Sequence, residues 1–312
     1  MRQYSALLLA MLLAAPPVRA AGASTDTISI PAWIEEDNCG TTPKFEATLN
    51  GKPVPVISEL GPGSDQIILV VVDLTGDLSL IAAAKQALID EISKLPANAW
   101  VGLLRAQDGL QVLADPAPNR QPAIQALQAL SNSGVPGLLG TVNSALSLAD
   151  ALLHKSPVRV SVLYVTDGSI YGYREDYTNP VINASDPHDL SRRIPGALIE
   201  EKVSNLVDNL GSLEAPLFVV HLNYRRDQLN EVYQNGLETL VEATGGKADI
   251  CRSIAEIPKA IAALFARISS AWRLTLAVPP KVHNNVQIRL SAPCRGGDLR
   301  LSWRTHLYPK EG

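Results

Sequence analysis

Cysteine and positive charge are two things this sequence has little of. Its three cysteines, Cys39, Cys251 and Cys294, are spaced with no zinc-ligand pattern, and they allow one disulfide with one thiol left over in an oxidising compartment. Lysine and arginine number 27 against 31 aspartates and glutamates, a formal net charge of −4 with no basic stripe, which argues against nucleic acid as a default partner. No G-x-S-x-G nucleophile elbow occurs, and the glycine-bearing stretch GVPGLLGT (134–141) lacks the lysine of a P-loop. The five histidines (154, 188, 221, 283 and 306) show no ligand spacing, and His221, inside an apolar run, reads as a core residue. There is no low-complexity tract, coiled coil or internal repeat.

What is there suits a globular protein. At 312 residues and 46% hydrophobic content the chain can build one large domain and a small one. Residues 1–20 combine Arg2, an apolar core from Ala6 to Ala15 and Val-Arg-Ala before a cut after Ala20, the pattern of a secretory signal peptide too short to span a bilayer. No cysteine stands near that cut to carry a lipid anchor, so the expectation is an exported protein, secreted or periplasmic.

Residues 21–63 alternate in short β runs, TISIPAWI and KFEATLNGKPVPVI, with Asn50-Gly51 as a hairpin turn and Gly61-Pro62-Gly63-Ser64 as a boundary. From residue 64 to 270 strands and helices alternate, which predicts an α/β doubly wound sheet. Residues 271–312 return to β runs, RLTLAV, VQIRL and LRLSW.

The stretch DQIILVVVDLTGDLS (65–79) organises the rest. An unbroken apolar run from Ile67 to Val72 reads as a strand buried on both faces, and it ends abruptly in Asp73, with Thr75, Gly76 and Asp77 following. Open α/β sheets bind ligands at the carboxyl ends of their strands, and carboxylates with a hydroxyl suit a hard cation. The competing reading is that Asp73 and Thr75 cap the next helix. A second buried strand, VRVSVLYVT (158–166), also ends in an acid, Asp167, and a polar loop without periodicity runs from Gly168 to Pro195.

In order and spacing these residues resemble a von Willebrand factor type A (VWA) domain over residues 64–270. That family ends its first strand in Asp-x-Ser-x-Ser, adds a Thr from a later loop and closes with an Asp after the next long strand. The matching positions are Asp73, Thr75 and Asp77, then Thr141 in GLLGT and Asp167 in VTDGS; Ala243-Thr244-Gly245-Gly246 is similar to the family's ATGG segment. The flanks, F-E-x-x-x-N-G-K-P (45–53) and RLTLAVPP, resemble the acidobacterial-type VWA-related family of exported bacterial proteins. The resemblance implies a Rossmann-like VWA domain with a small β region formed by the two terminal segments. It also implies a metal-ion-dependent adhesion site in which Asp73, Thr75, Asp77, Thr141 and Asp167 hold Mg²⁺ (or Mn²⁺ or Ca²⁺), leaving a position open for an acidic group of a protein partner.

Asp77 departs from the family's serine, and as a third negative charge it is expected to tighten metal binding and weaken capture of an acidic partner. Ser79 could substitute as a ligand, or lie on the first turn of the helix. In the loop after Asp167, Tyr171, Tyr173, Arg174 and Tyr177 are of the types enriched at interaction hot spots, so they read either as a partner-binding rim or as an ordinary variable loop. If the terminal β segments pack as one sandwich, Cys39 and Cys294 could be bridged, with Cys251–Cys294 as the alternative. The function expected is a non-enzymatic, adhesion-type module. A metal-independent subunit of an envelope complex is the alternative, and a metal-dependent hydrolase is disfavoured because Asp-Leu-Thr-Gly-Asp lacks the second acid of an Asp-x-Asp phosphatase pattern.

Overall fold

A computed structural model describes residues 26–37, 40, 42–173, 195–279, 285–294 and 297–308. The elements follow one another as β1 (Thr27–Glu36), β2 (Glu46–Leu49), β3 (Lys52–Val54), β4 (Val56–Leu60), β5 (Gln66–Asp73), α1 (Leu78–Lys94), β6 (Ala99–Arg105), β7 (Gln111–Ala117), α2 (Gln121–Ala129), α3 (Leu138–Lys155) and β8 (Arg159–Thr166). Next come α4 (Pro195–Leu210), β9 (Leu217–His221), α5 (Gln228–Thr244), β10 (Lys247–Ile250), α6 (Ile257–Ser269) and β11 (Trp272–Ala277). Five short strands close the chain: β12 (Val286–Ser291), β13 (Pro293–Cys294), β14 (Gly297–Asp298), β15 (Arg300–Trp303) and β16 (His306–Leu307).

The larger unit is a six-stranded sheet in the order β10-β9-β8-β5-β6-β7, parallel except for β7, which runs antiparallel to β6. The chain winds outward from β5 to β7, then returns to the other side of β5 as β8. That reversal makes the β5/β8 boundary the topological switch point of a doubly wound, Rossmann-like sheet. The β-branched run of β5 explains its central place: all eight of its residues are buried. Ile68, Val70 and Val72 pack with Leu88, Ile92, Leu264 and Phe265 of α1 and α6. On the opposite face Ile67, Leu69 and Val71 pack with Leu146, Tyr164 and Leu237. Side chains alternate across a strand, so one apolar run supplies both cores.

The smaller unit is a β-sandwich of two four-stranded sheets, β15-β1-β11-β4 and β16-β12-β2-β3. Its core joins the two ends of the chain, with Ile28, Ile30, Ala47 and Leu49 against Leu274, Leu276, Ile288 and Leu290. β1 and β11 pair antiparallel from Thr27↔Ala277 to Ala32↔Trp272, so the α/β unit leaves the sandwich after β4 and re-enters at β11. Asn50 and Gly51 turn the β2–β3 hairpin with φ of 50° and 77°, left-handed values that this dipeptide accepts.

Arg159, buried at the start of β8, holds both crossings. Its guanidinium donates to the carbonyls of Pro62 (2.9 Å) and Ser64 (3.1 Å) on the outgoing strand-to-strand linker and of Ile268 (3.4 Å), Ser269 (3.1 Å) and Ala271 (2.9 Å) on the returning one. Trp33 of β1 donates from Nε1 to the Arg267 carbonyl at 2.8 Å, and the Arg267 guanidinium lies 4.3 Å from the centre of the Trp33 ring.

Cys294 is disulfide-bonded, Cys251 is a buried free thiol, and Cys39 lies outside the described residues. Residues 1–25, which contain the expected signal peptide, also lie outside them. Among the described residues no helix is long and apolar enough to cross a membrane.

Candidate functional site

Asp73 is the last residue of β5, and Asp167 follows the last residue of β8. Strand pairing places Asp73 opposite Thr166, and the Asp167 amide donates to the Asp73 carbonyl at 3.3 Å. Both acids are buried at the switch point, Asp73 completely and Asp167 at 5% exposure.

Each carboxylate meets a pair of backbone amides. Asp73 accepts from Gly137 N–H (3.0 Å) and Leu138 N–H (3.2 Å), the opening amides of α3, and from the Thr166 hydroxyl (3.2 Å). It is a carboxylate at a helix N-terminus, where orphan amides and the helix dipole favour negative charge. Asp167 accepts from Thr75 N–H (2.8 Å) and Gly76 N–H (2.7 Å), which shapes the β5–α1 loop around it. A Cβ on Gly76 would stand 2.8 Å from an Asp167 oxygen, so glycine is what lets the loop close over the acid.

Three expectations change here. Thr141 is not in a loop: α3 begins at Leu138, and the Thr141 hydroxyl donates to the Gly137 carbonyl at 2.7 Å and lies 3.0 Å from the Tyr164 hydroxyl. The Leu138-Leu139 pair is buried, and that packing pulls the helix start three residues ahead of the threonine. Asp77, expected as a third charge on the ion, is the exposed N-cap of α1, accepting from the Ser79 amide (2.7 Å) and hydroxyl (2.5 Å), which hold its carboxyl below the usual range. Tyr173, expected on a partner-binding rim, is 6% exposed; Leu139 N–H donates to its hydroxyl at 3.3 Å, so it braces α3 from within. Tyr171 is exposed and donates to Asp227 at 2.7 Å, while Arg174 and Tyr177 lie outside the described residues. Ser79 sits on the first turn of α1.

Burial dominates the electrostatics. It pushes the Asp73 carboxyl up to about 6, against the pull of the Gly137 and Leu138 amides, with neighbouring Asp167 adding a smaller upward push. Asp167 is raised as well, by burial first and least by Asp77. Burial lowers His221 to about 4; its Nε2 faces the Gly168 carbonyl at 2.9 Å and its Nδ1 faces the Asn223 amide at 3.4 Å, partners that fit the neutral ring with hydrogen on Nε2. No lysine or arginine forms an ion pair with Asp73 or Asp167 among the described residues.

These two groups oppose one another in the pH dependence of the metal-free protein. Asp73 is an acid whose folded pKa exceeds its unfolded one, so its contribution favours folding at low pH and is lost as pH rises from about 4 to 6. His221 is a base whose folded pKa is depressed, so its contribution is intact near neutrality and is lost as pH falls from about 6.5 to 4. Each shift of two to three units corresponds to about 3 kcal/mol. Urea unfolding in EDTA should therefore show His221→Gln gaining stability on acidification relative to the parent and Asp73→Asn losing it. Parallel pH profiles for all three proteins would refute the assignment.

As a cation site the donor set fits in chemistry and only partly in arrangement. Carboxylate and hydroxyl oxygens are what Mg²⁺ and Ca²⁺ take. Asp73, Thr75 and Asp167 are gathered at one crevice, and the fully buried Gln107, whose Nε2 donates to the Leu74 carbonyl at 2.6 Å, has no donor to its Oε1 among the described residues. Among the described residues no three His, Cys, Asp or Glu side chains converge as a ligand set. An ion here would rest on two carboxylates, hydroxyls and water.

The bonds of Asp73 to Gly137 and Leu138 were not visible in the sequence, because those residues are distant in the chain and contribute backbone rather than side chains. The Asp-x-Ser spacing of Asp77 and Ser79 was a visible capping signal.

No protein-family model matches the chain, and no curated protein matches it. Solved structures do. The von Willebrand factor type A structure from Catenulispora acidiphila aligns over 92% of this chain and 74% of its own, at 12% identity and a TM-score of 0.44. The ArnB paralog VWA2 from Sulfolobus acidocaldarius aligns over 91% and 76%, at 8% identity and 0.44. BatB from Bacteroides thetaiotaomicron aligns over 66% and 99%, at 12% identity and 0.40. The doubly wound topology stands on the strand order itself.

Proposed function

We propose that this VWA-type chain is an exported, non-enzymatic interaction module. It takes a protein partner on the carboxyl face of its six-stranded sheet, with a divalent cation held by Asp73 and Asp167 and the hydroxyls of Thr75 and Thr141. One observation carries the reading: two buried carboxylates stand together at the switch point with no basic side chain on either among the described residues. A bound ion supplies an electrophilic position for an acidic side chain of the partner. Asp73 meanwhile fixes the start of α3, and Asp167 fixes the β5–α1 loop, so both walls of the crevice are set by the residues that hold the ion.

Thermal unfolding with EDTA, Mg²⁺, Mn²⁺ and Ca²⁺ tests it. A ligand bound only by the folded state at about a hundred times its Kd adds about 2.7 kcal/mol, a rise of several degrees for a chain of this size. The rise should vanish in Asp167→Asn. It should survive in Asp77→Ser, because Asp77 caps a helix and serine caps equally well. No rise with any ion favours a metal-independent interaction scaffold instead, a reading supported by the four backbone amides that already satisfy the two acids.

A further inference from the structure

The carboxyl face changes character from one half to the other. The acids follow β5 and β8, whereas the turns after β9 and β10 carry Arg225, Arg226 and Arg252, all exposed. None of the three forms an ion pair among the described residues; on the sandwich side Arg267 and Arg300 are each paired with a glutamate, at 2.7 and 2.8 Å. The nearby acids, Asp227 and Glu256, are exposed too, and each accepts hydrogen bonds from its own surroundings. Asp227 is the N-cap of α5, accepting from Asn230 N–H (3.1 Å), Asn230 Nδ2 (2.8 Å) and the Tyr171 hydroxyl (2.7 Å), and Glu256 accepts from Arg252 N–H (2.7 Å). In these two turns three guanidinium groups stand beside two carboxylates, and none of the three is ion-paired among the described residues.

Apolar surface gathers at the same end. Leu78 at the start of α1, Tyr171 after β8 and Ile254 after β10 are 68%, 53% and 46% exposed. The Arg252 guanidinium lies 5.3 Å from the centre of the Tyr224 ring. The backbone beneath is fixed: Arg225 N–H donates to Gln234 Oε1 and Gln234 Nε2 donates back to the Arg225 carbonyl, both at 2.9 Å, and Tyr224 N–H donates to the Cys251 carbonyl at 2.9 Å. A surface already ordered loses little entropy on binding, and arginine with tyrosine is the composition of interface hot spots.

We infer that this rim is the docking surface for an acidic, apolar segment of a partner protein. Arg225, Arg226 and Arg252 take its carboxylates, for which the planar guanidinium is suited, and Tyr171, Tyr224 and Ile254 take its aliphatic or aromatic side chains. The inference deepens the proposed function by naming the partner's chemistry, and it rests on the carboxyl face being the binding face, not on the cation.

The probe is a short fluorescein-labelled peptide of alternating glutamate and leucine, followed by anisotropy with the full chain in EDTA and in Mg²⁺. Binding should weaken about tenfold in the Arg225→Gln/Arg226→Gln/Arg252→Gln variant, about 1.4 kcal/mol, with an unchanged melting point. It should also weaken when serine replaces leucine in the peptide, and fall as salt is raised. The arginine-dependent part should persist in EDTA. Equal binding of a lysine–leucine peptide, or undiminished binding by the triple variant, overturns the rim. Binding abolished by EDTA yet indifferent to the arginines would uphold the cation and sink the rim; arginine-dependent binding without any cation-induced thermal shift would do the reverse.

Discussion

Arg159→Met should lower the thermal midpoint by on the order of 10 °C. The arginine is buried, and its guanidinium serves five carbonyls on the two chain crossings between the sandwich and the α/β unit. Methionine fills similar space and donates nothing, so the carbonyls of Pro62, Ser269 and Ala271 lose this donor, while those of Ser64 and Ile268 keep Asn98 Nδ2 and the Ala271 amide. Each buried polar group left unmade costs about 1–3 kcal/mol, and some relaxation brings the total to about 4 kcal/mol, at a few degrees per kcal/mol for a chain of this length. Burial lowers the guanidinium to about 10, which still leaves it charged at neutral pH. Arg159→Lys should fall between the two, since a single ammonium cannot reach both crossings. Limited proteolysis of the methionine variant should open first at residues 61–65 and 269–272. An unchanged midpoint would mean that the crossings are held by sheet pairing alone.

The second large effect is a contrast between two glycines at the start of one helix. At Gly137 a Cβ would lie 1.8 Å from the backbone oxygen of Ala106, and Ala106 is itself pinned by its amide to the Val72 carbonyl at 2.9 Å. The φ of −125° is open to any residue, so the obstacle is space rather than conformation. Gly137→Ala must push α3 away from β6 and draw the Gly137 and Leu138 amides off Asp73, at about 3 kcal/mol. At Gly140, one turn on, a Cβ meets nothing within 4 Å among the described residues, and alanine there should stabilise by about 0.5–1 kcal/mol through helix propensity. Denaturant unfolding of the pair should give opposite signs. A mild or absent loss at Gly137 would show that α3 does not depend on its close approach to β6.

The sequence was most legible where one physical demand dominates. A β-branched run with an acid at its end allows little besides a central strand opening into a ligand crevice, and both β5 and β8 follow that pattern. Asn50-Gly51 announced its hairpin for the same reason, since few dipeptides accept two left-handed residues in a row. Legibility failed where one residue type serves two ends. Asp77 satisfied a motif position and a helix cap at once, and the spacing to Ser79 could not say which would prevail. Tyr173 was read on a partner-binding rim or a variable loop because tyrosine is a hot-spot type in the loop after Asp167, but a tyrosine with hydrogen-bond partners for its hydroxyl is at home in a core. Arg159 lies in an apolar strand and carries no signal of its role, because only the assembled structure brings the five carbonyls to it.

The pairing of β1 with β11 also bears on the order in which the molecule can be made. The first four strands leave the ribosome early, yet β1 cannot acquire its sheet neighbours until the whole α/β unit and then residues 272–303 have been synthesised. Through all that time its buried run, Ile28 to Trp33, has no partner, which is the condition under which strands aggregate. The α/β unit needs nothing from the sandwich to close its own sheet, so it is expected to fold first. Once folded it brings Pro62 and Ala271 to the same arginine and removes the loop-closure penalty that would otherwise separate β4 from β11. The clamp at Arg159 is thus a folding device as well as a joint: the strands made first are the last to be completed, and the inserted domain delivers their partner to them.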